Sequence, residues 1–407
     1  MNDASRKGGE SDGGVLVKLP NWIGDCVMAT PALAALRAGL PGVRIVGLAR
    51  GGPGAVLGGH PCLDELLFLD IRKLSRDEWR DLRARRFSAV VDLTNSLRTA
   101  FLFARLSISV RVGYSRNMRG PLLTHGLAFR ADEWLSPTPD PVGTKARRAR
   151  AGEDPANPRT RHMVDYYFDL AREALRALGA DDAAMAAAEA AGAGPMKLAV
   201  PPDAVARVDS ALASLGVTPG TPLVGLNPGA AYGNAKRWPV DRLAAAGAAL
   251  LRDIPGAALV AVSGPGETAV HDLLEHHLTA LGAPLCRMGP ELGIQGVAAL
   301  MDRLAVFVGN DSGALHIAAA RGTPAVAVFG PTDWNSTFPR APHAGRVALV
   351  RRSPPCAPCM LRECPLPRHL CMEAVEPAMV VEAARAVMSM PAVTPALTPL
   401  PAPVPAP

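Results

Sequence analysis

Residues 305–333, AVFVGNDSGALHIAAARGTPAVAVFGPTD, restrict the fold more than any other stretch of the chain. Two short apolar runs, AVFV (305–308) and PAVAVF (324–329), enclose a polar turn at 309–312 and a small-residue helix from Gly313 to Arg321 that Gly322 closes. The pattern passes from buried strand to helix and back, which predicts a βαβ unit in an open parallel sheet. Asp311 or Ser312 is placed to cap that helix, leaving the main-chain N–H groups of its first turn aimed beyond the strand ends, where a phosphate is stabilised. His316, four residues after Ser312, faces the same way. The same residues also suit an ordinary turn with a packing histidine, so local pattern alone does not decide between structure and chemistry.

At 407 residues the chain has room for two domains, each with its own core. Its 49% hydrophobic residues include only 4% aromatics, and no run of about 18 uncharged apolar residues is present to span a bilayer. The opening MNDASRKGGESDGG lacks an apolar stretch of the secretory kind, so a cytoplasmic protein is expected. A net charge of +6 favours acidic partners. Within 141–161 six Lys or Arg face two acids in a segment broken by Pro and Gly, which reads as a loop. Stacking aromatics are scarce and no nucleic-acid motif appears. An anionic small molecule or lipid head group is therefore expected, and no nucleic acid.

In chain order, VLVKL (15–19) reads as a strand, PNWIGD (20–25) as a turn, and 26–40 as largely one helix, in which Pro31 either follows a Thr30 cap or makes a kink. Asp25 falls at the strand's carboxyl end near the helix start. It reads equally well as a base or as a capping residue. Strands at 44–49, 65–70 and 88–93 alternate with helices at 77–86 and 96–106 in a doubly wound half; Arg98 lies just past a strand end, Arg116 and Arg119 fall in a segment read as a loop, and spacing alone reads all three as surface arginines. Residues 131–160 read as an insertion and 162–179 as a helix. A second α/β series starts after about 190: LVGLNPG (223–229), a polar loop with Lys236 suited to neutralising phosphate, a helix at 240–252, and ALVAVS (258–263). GPGETA (264–269) formally fits a dinucleotide-binding pattern, but Glu267 would repel a pyrophosphate and suits ribose hydroxyls better.

Cys356, Cys359, Cys364 and Cys371 crowd into sixteen residues, whereas Cys26, Cys62 and Cys286 are scattered. Clustered cysteines in a cytoplasmic chain suggest a structural metal, with reduced thiols as the alternative, because the spacing is tighter than in common zinc ribbons. The expected divisions are a disordered 1–14, domains at 15–190 and 191–390, and a disordered Pro/Ala tail at 391–407.

Taken in order, L-P-N-W-I-G-D, N-P-G-A with A-K-R-W-P, S-G-P-G-E, N-D-S-G-A-L-H-I-A-A-A and F-G-P-T resemble glycosyltransferase family 9, and within it the enzymes that add the second heptose of lipopolysaccharide. The resemblance covers about residues 15–390. It implies a GT-B architecture of two Rossmann-like domains facing across a cleft, acceptor on the first and ADP-heptose on the second. It further implies Asp25 as catalytic base, Lys236 as phosphate cation, Glu267 as ribose ligand, Asp311, Ser312 and Gly313 as the phosphate turn with His316 beside it, and Arg98, Arg116 and Arg119 as acceptor contacts. No cofactor is implied for catalysis; the sequence holds no Asp-x-Asp. The partners implied are ADP-heptose, a lipid A–Kdo–heptose acceptor and the anionic face of the inner membrane.

Overall fold

The computed structural model describes residues 13–129, 161–262, 264, 266–288, 292–340 and 346–391. The N-terminal segment, the 131–160 insertion with most of the basic loop, and all but the first residue of the Pro/Ala tail lie outside the described residues.

The first sheet holds β1 (Val15–Lys18), β2 (Ile45–Ala49), β3 (Glu65–Phe68), β4 (Ala89–Asp92), β5 (Val110–Tyr114) and β6 (His125–Leu127). They lie in the order β3-β2-β1-β4-β5-β6, with every pair parallel. The second holds β7 (Leu223–Asn227), β8 (Ala258–Ala261), β9 (Leu285–Arg287), β10 (Leu304–Asn310), β11 (Ala325–Phe329) and β12 (Val347–Arg351). Its order, β12-β11-β10-β7-β8-β9, repeats the first sheet's topology, again all parallel. Two such sheets with helices on their faces are the doubly wound α/β arrangement of a GT-B protein. Central strands such as IVGLA and AVAVF are buried at every position, and unbroken apolar runs are what a strand covered on both faces requires.

The helices are α1 (Ile23–Met28), α2 (Thr30–Gly39), α3 (Arg76–Ala84), α4 (Leu97–Arg105), α5 (Met163–Ala177), α6 (Asp182–Gly192), α7 (Pro202–Ser214), α8 (Val240–Asp253), α9 (Thr268–Ala280), α10 (Gly293–Met301), α11 (Gly313–Arg321), α12 (Trp334–Thr337), α13 (Leu370–Glu373) and α14 (Pro377–Ser389). The helix expected over 26–40 is two: it breaks at Ala29, and the Thr30 hydroxyl donates to the Val27 carbonyl instead of capping. Pro31 in the first turn of α2 has no N–H to continue α1, which explains the break. α5 and α6 pack on α2, and α7 packs on α10, so the change of sheet falls between α6 and α7. Strands β5, β6 and β12 escaped the sequence reading because arginines and glycines interrupt them; Arg111 of β5, for example, bonds the carbonyls of Ile108 and Leu122.

The two halves touch. α1 packs against α11, the Gln295 amide donates to Ala55 O at 2.6 Å, and Arg340 grips Asp165 with two bonds of 2.5 and 2.7 Å.

Candidate active site

In each sheet the strand order reverses beside the strand that begins it, between β1 and β4 and between β7 and β10, and ligands of open α/β sheets bind at such points. The loop after β1 leads to Asp25, that after β7 to Lys236, and that after β10 to Asp311 and Ser312. α1 and α11 pack closely against each other and bring the two crevices together. A Cβ on Gly24 would stand 2.7 Å from the His316 ring, and one on Gly313 2.7 Å from Ile23 Cβ. Glycine at both positions permits that approach.

Asp25 lies in the first turn of α1, whose N-cap is Trp22, and no side chain caps the helix. The capping role open from the sequence is therefore not the one Asp25 plays. Its carboxyl instead takes a hydrogen bond from Tyr167 of α5, with Lys236 and Asp311 of the second domain in electrostatic reach. Loss of water raises its pKa from 3.8 to about 6, and the Tyr167 bond and the Lys236 charge hold it from going higher. Tyr167→Phe is expected to move the acid limb of the pH–rate profile up by about one unit, since a bond to a charged group is being removed. An unmoved limb would separate Tyr167 from Asp25.

On the second domain, Asn310 at the end of β10 donates to the carbonyls of Pro228 (3.0 Å) and Gly229 (3.2 Å) and accepts from Trp238 N at 2.9 Å. One amide thereby fixes both ends of the loop that carries Lys236. Lys236 Nζ meets Asp311 Oδ2 at 2.5 Å, and the Thr332 hydroxyl donates to the same oxygen at 2.6 Å. The Ser312 hydroxyl bonds Asn227 Oδ1 at 3.1 Å. Ser312 stands at the N-cap of α11, but its side chain makes no capping bond, and among the described residues no side chain caps the first-turn N–H groups. Those dipoles and the Lys236 cation converge where negative charge would be stabilised. Glu267 lies against Gly229 and accepts from Gly264 N at 2.7 Å through Oε2. His316 is buried and its pKa falls to about 4, chiefly through loss of water, so it is a neutral ring rather than a second cation.

The three arginines part company. Arg98 is exposed on the first turn of α4, and Arg116 lies with its guanidinium 3.9 Å from the Phe129 ring. Arg119 has no exposed surface: it binds Asp92 Oδ2 at 2.8 Å and the carbonyls of Tyr114 and Thr94. This differs from the surface contact expected of it, because its charge is paired with a buried carboxylate at the end of β4.

Cys356, Cys359, Cys364 and Cys371 line one cavity of about 20 Å³ together with His369. Among the described residues, however, no three or more His, Cys, Asp or Glu gather as a metal site. Burial and the neighbouring thiols push Cys371 up to about 12. The expected structural metal thus lacks support. The segment also lies nearer the chemistry than its place in the sequence suggested: Arg362 O accepts from Ala235 N at 2.9 Å, and the Tyr232 hydroxyl donates to Met360 O at 2.6 Å. It braces the Lys236 loop from behind.

Asn310, Thr332 and Tyr167 were not identified as site residues from the sequence, and 356–371 was singled out only for its cysteines as a candidate metal site. Asn310 and Thr332 belong to the N-D-S-G and F-G-P-T stretches, which is the signal that points to them; Tyr167 has none, since it reaches Asp25 only through tertiary packing.

Several known proteins resemble this chain. A lipooligosaccharide heptosyltransferase 2 of Campylobacter jejuni is 30% identical over 171 residues, an alignment spanning 42% of this chain and about half (52%) of that protein. The lipopolysaccharide heptosyltransferase 2 of Salmonella typhimurium is 27% identical over 83% of this chain and 88% of its own length. In three dimensions the E. coli ADP-heptose LPS heptosyltransferase II superposes with a TM-score of 0.69 at 23% identity, covering 92% of this chain and 98% of that one. A glycosyltransferase family 9 protein of Veillonella parvula gives 0.70 at 20% identity over 93% and 98%. The model of glycosyltransferase family 9 (heptosyltransferase) matches residues 76–137 and 152–369, more than half the sequence, and the chain belongs to that family.

Proposed function

We propose that this protein is an inverting glycosyltransferase that moves heptose from ADP-heptose to the inner core of lipopolysaccharide, adding the second heptose. The observation that carries the reading is the meeting of Asp25, held near pKa 6 on one domain, with Lys236 and the uncapped start of α11 on the other. Asp25 takes the proton of an acceptor hydroxyl as that oxygen bonds to the anomeric carbon; the bond to phosphate breaks on the opposite face, and the configuration inverts. Lys236 and the α11 N–H groups meet the charge arriving on the diphosphate. Glu267, with Oε1 not engaged by Gly264, suits the ribose, while Asp311, Ser312, Gly313 and His316 line the donor crevice. Arg98 and Arg116 suit a phosphorylated acceptor. The acceptor's lipid anchor places the work at an anionic membrane surface, on this reading the cytoplasmic face; no helix among the described residues is long and apolar enough to cross it.

Incubation with ADP-heptose and lipid A–Kdo acceptors bearing zero or one heptose, followed by weighing the products, tests this. One added heptose on the mono-heptosylated acceptor is expected. Addition to the bare acceptor instead would assign the first transfer, and a free altered sugar would identify an epimerase. Dialysis against a chelator is expected to leave the rate unchanged, and a loss restored by a divalent cation would overturn the metal-free mechanism.

Lys236→Ala is expected to weaken ADP binding roughly 10- to 150-fold, the worth of a bond to a charged group. The variant should also melt lower, because the Asp311 side chain, 5% exposed, loses its cation. Calorimetric titration with ADP decides it, and unchanged affinity would remove Lys236 from the donor site.

A further inference from the structure

Between Asp92 and Asp132 the chain runs 39 residues, 93–131, with six arginines and no acid; Arg119 is spent on Asp92 and Arg130 lies outside the described residues, which leaves Arg98, Arg105, Arg111 and Arg116. The same span carries an unusual amount of bare apolar surface. Leu97 and Phe101, one turn apart on α4, are 44% and 53% exposed, and Met118 is 81% exposed. Met118 and Asn117 both hold left-handed backbone, with φ of 60° and 54°, a region asparagine enters readily but methionine seldom. That conformation is held in place: the Asn117 amide donates to Asn95 O at 2.9 Å, and the next residue after Met118, Arg119, is the buried anchor on Asp92. The fold thus fixes a methionine outward next to the start of α4.

We propose that Leu97, Phe101 and Met118, with the arginines around them, form the surface by which the protein docks on an anionic bilayer. Apolar side chains enter the acyl boundary while cations meet the head groups. Arg98 stands beside Leu97, and Arg105 lies over the rings of Phe101 (5.9 Å) and Trp79 (5.2 Å), an amphipathic stem with its charge at the rim. Of the three acids of the adjoining α3, Asp77 is paired with Arg80 and Asp81 with Arg85, while Glu78 accepts from Ser75 N in the helix's capping box. The patch also adjoins the reacting group: Asn95, which ties down Asn117, accepts from the Tyr166 hydroxyl at 2.7 Å, and the next residue in α5 is Tyr167, the partner of Asp25. A sugar chain rising from the bilayer at this patch reaches the acceptor side of the cleft.

The inference deepens the lipid-acceptor reading, and its test separates the two. Full-length protein and the triple variant Leu97→Ser/Phe101→Ser/Met118→Ser are sedimented with vesicles of phosphatidylcholine alone or mixed with phosphatidylglycerol. Wild type is expected to prefer the anionic vesicles, and the variant to bind them at least about tenfold more weakly, with its circular dichroism and ADP affinity unchanged. Transfer to acceptor embedded in vesicles should fall in the variant, while transfer to a deacylated, water-soluble acceptor stays at the wild-type rate. Vesicle binding equal in the two proteins overturns the proposal, as does a wild type without anionic preference. Concentration-dependent self-association abolished by the triple substitution, with no change in vesicle binding, would assign the patch to a second copy of the chain. Absence of transfer to either acceptor by wild type would overturn the heptosyltransferase reading and leave the vesicle result standing.

Discussion

Asp25→Asn is expected to retain the fold and ADP affinity and to lose about 10²- to 10⁴-fold in turnover, the usual contribution of a positioned general base. The amide preserves the shape of the side chain but offers no lone pair basic enough to take the acceptor's proton. The sequence alone left a capping role open. The structure removes it, since α1 starts at Ile23 and Asp25 makes no capping bond. Stability supplies a second reading of the same variant. With its folded pKa raised from 3.8 to about 6, the Asp25 carboxyl favours folding most where it is neutral, below pH 3.8, and that contribution is lost as pH rises through 6. At pH 7 the wild type therefore holds an ionised group in a site that disfavours it, and the uncharged amide variant should melt no lower. Near wild-type turnover with saturating donor and acceptor would show the assignment wrong.

The same shift fixes the pH dependence. The base must be ionised to act, so kcat/KM, which reports groups of the free enzyme, should fall tenfold per unit below about pH 6. His316 does not contribute a limb between pH 5 and 8, because its pKa lies near 4 and the ring is neutral throughout that range.

The fold was legible where chemistry is local. The 305–333 stretch gave its strand, turn and helix almost to the residue, with Gly322 in the left-handed conformation at the end of α11. β5 and β12 were missed, because a strand that contains arginine or ends near one looks polar until its neighbours are known. Asp25 and Lys236 could be singled out, since each follows a strand end, where a parallel sheet collects ligands. What holds them could not. Tyr167 lies 142 positions from Asp25, Thr332 acts on Lys236 through Asp311, and the cysteine segment supports a loop more than a hundred residues earlier. None of these pairings leaves a periodicity. Arg119 shows the converse error: a loop arginine three residues from Arg116 reads as surface, and only the register that puts Asp92 at the end of β4 reveals its partner.

Arg119→Ala is accordingly expected to act on stability, at about 3 kcal/mol, the lower end of the range for breaking a buried ion pair. The lower end applies because Asp92 keeps other donors: Thr94 N and Oγ1 at 3.0 and 2.7 Å, and Thr99 Oγ1 at 2.6 Å. Lys18, beside Asp92 in the β1–β4 register, also stays within electrostatic reach. Two further bonds are lost in the variant, to Tyr114 O and Thr94 O, and with them the anchor of the 116–118 turn. If the cost is an orphaned charge, Asp92→Asn added to Arg119→Ala should recover part of the stability, since no carboxylate then remains to be paired. Denaturant unfolding of the two single variants and the double variant measures this directly. A surface contact with the acceptor predicts the opposite pattern: an unchanged unfolding midpoint, a raised acceptor KM, and no rescue by the Asp92→Asn change. The buried geometry predicts a lowered midpoint, partial rescue, and an acceptor KM that changes only as far as the 116–118 turn moves.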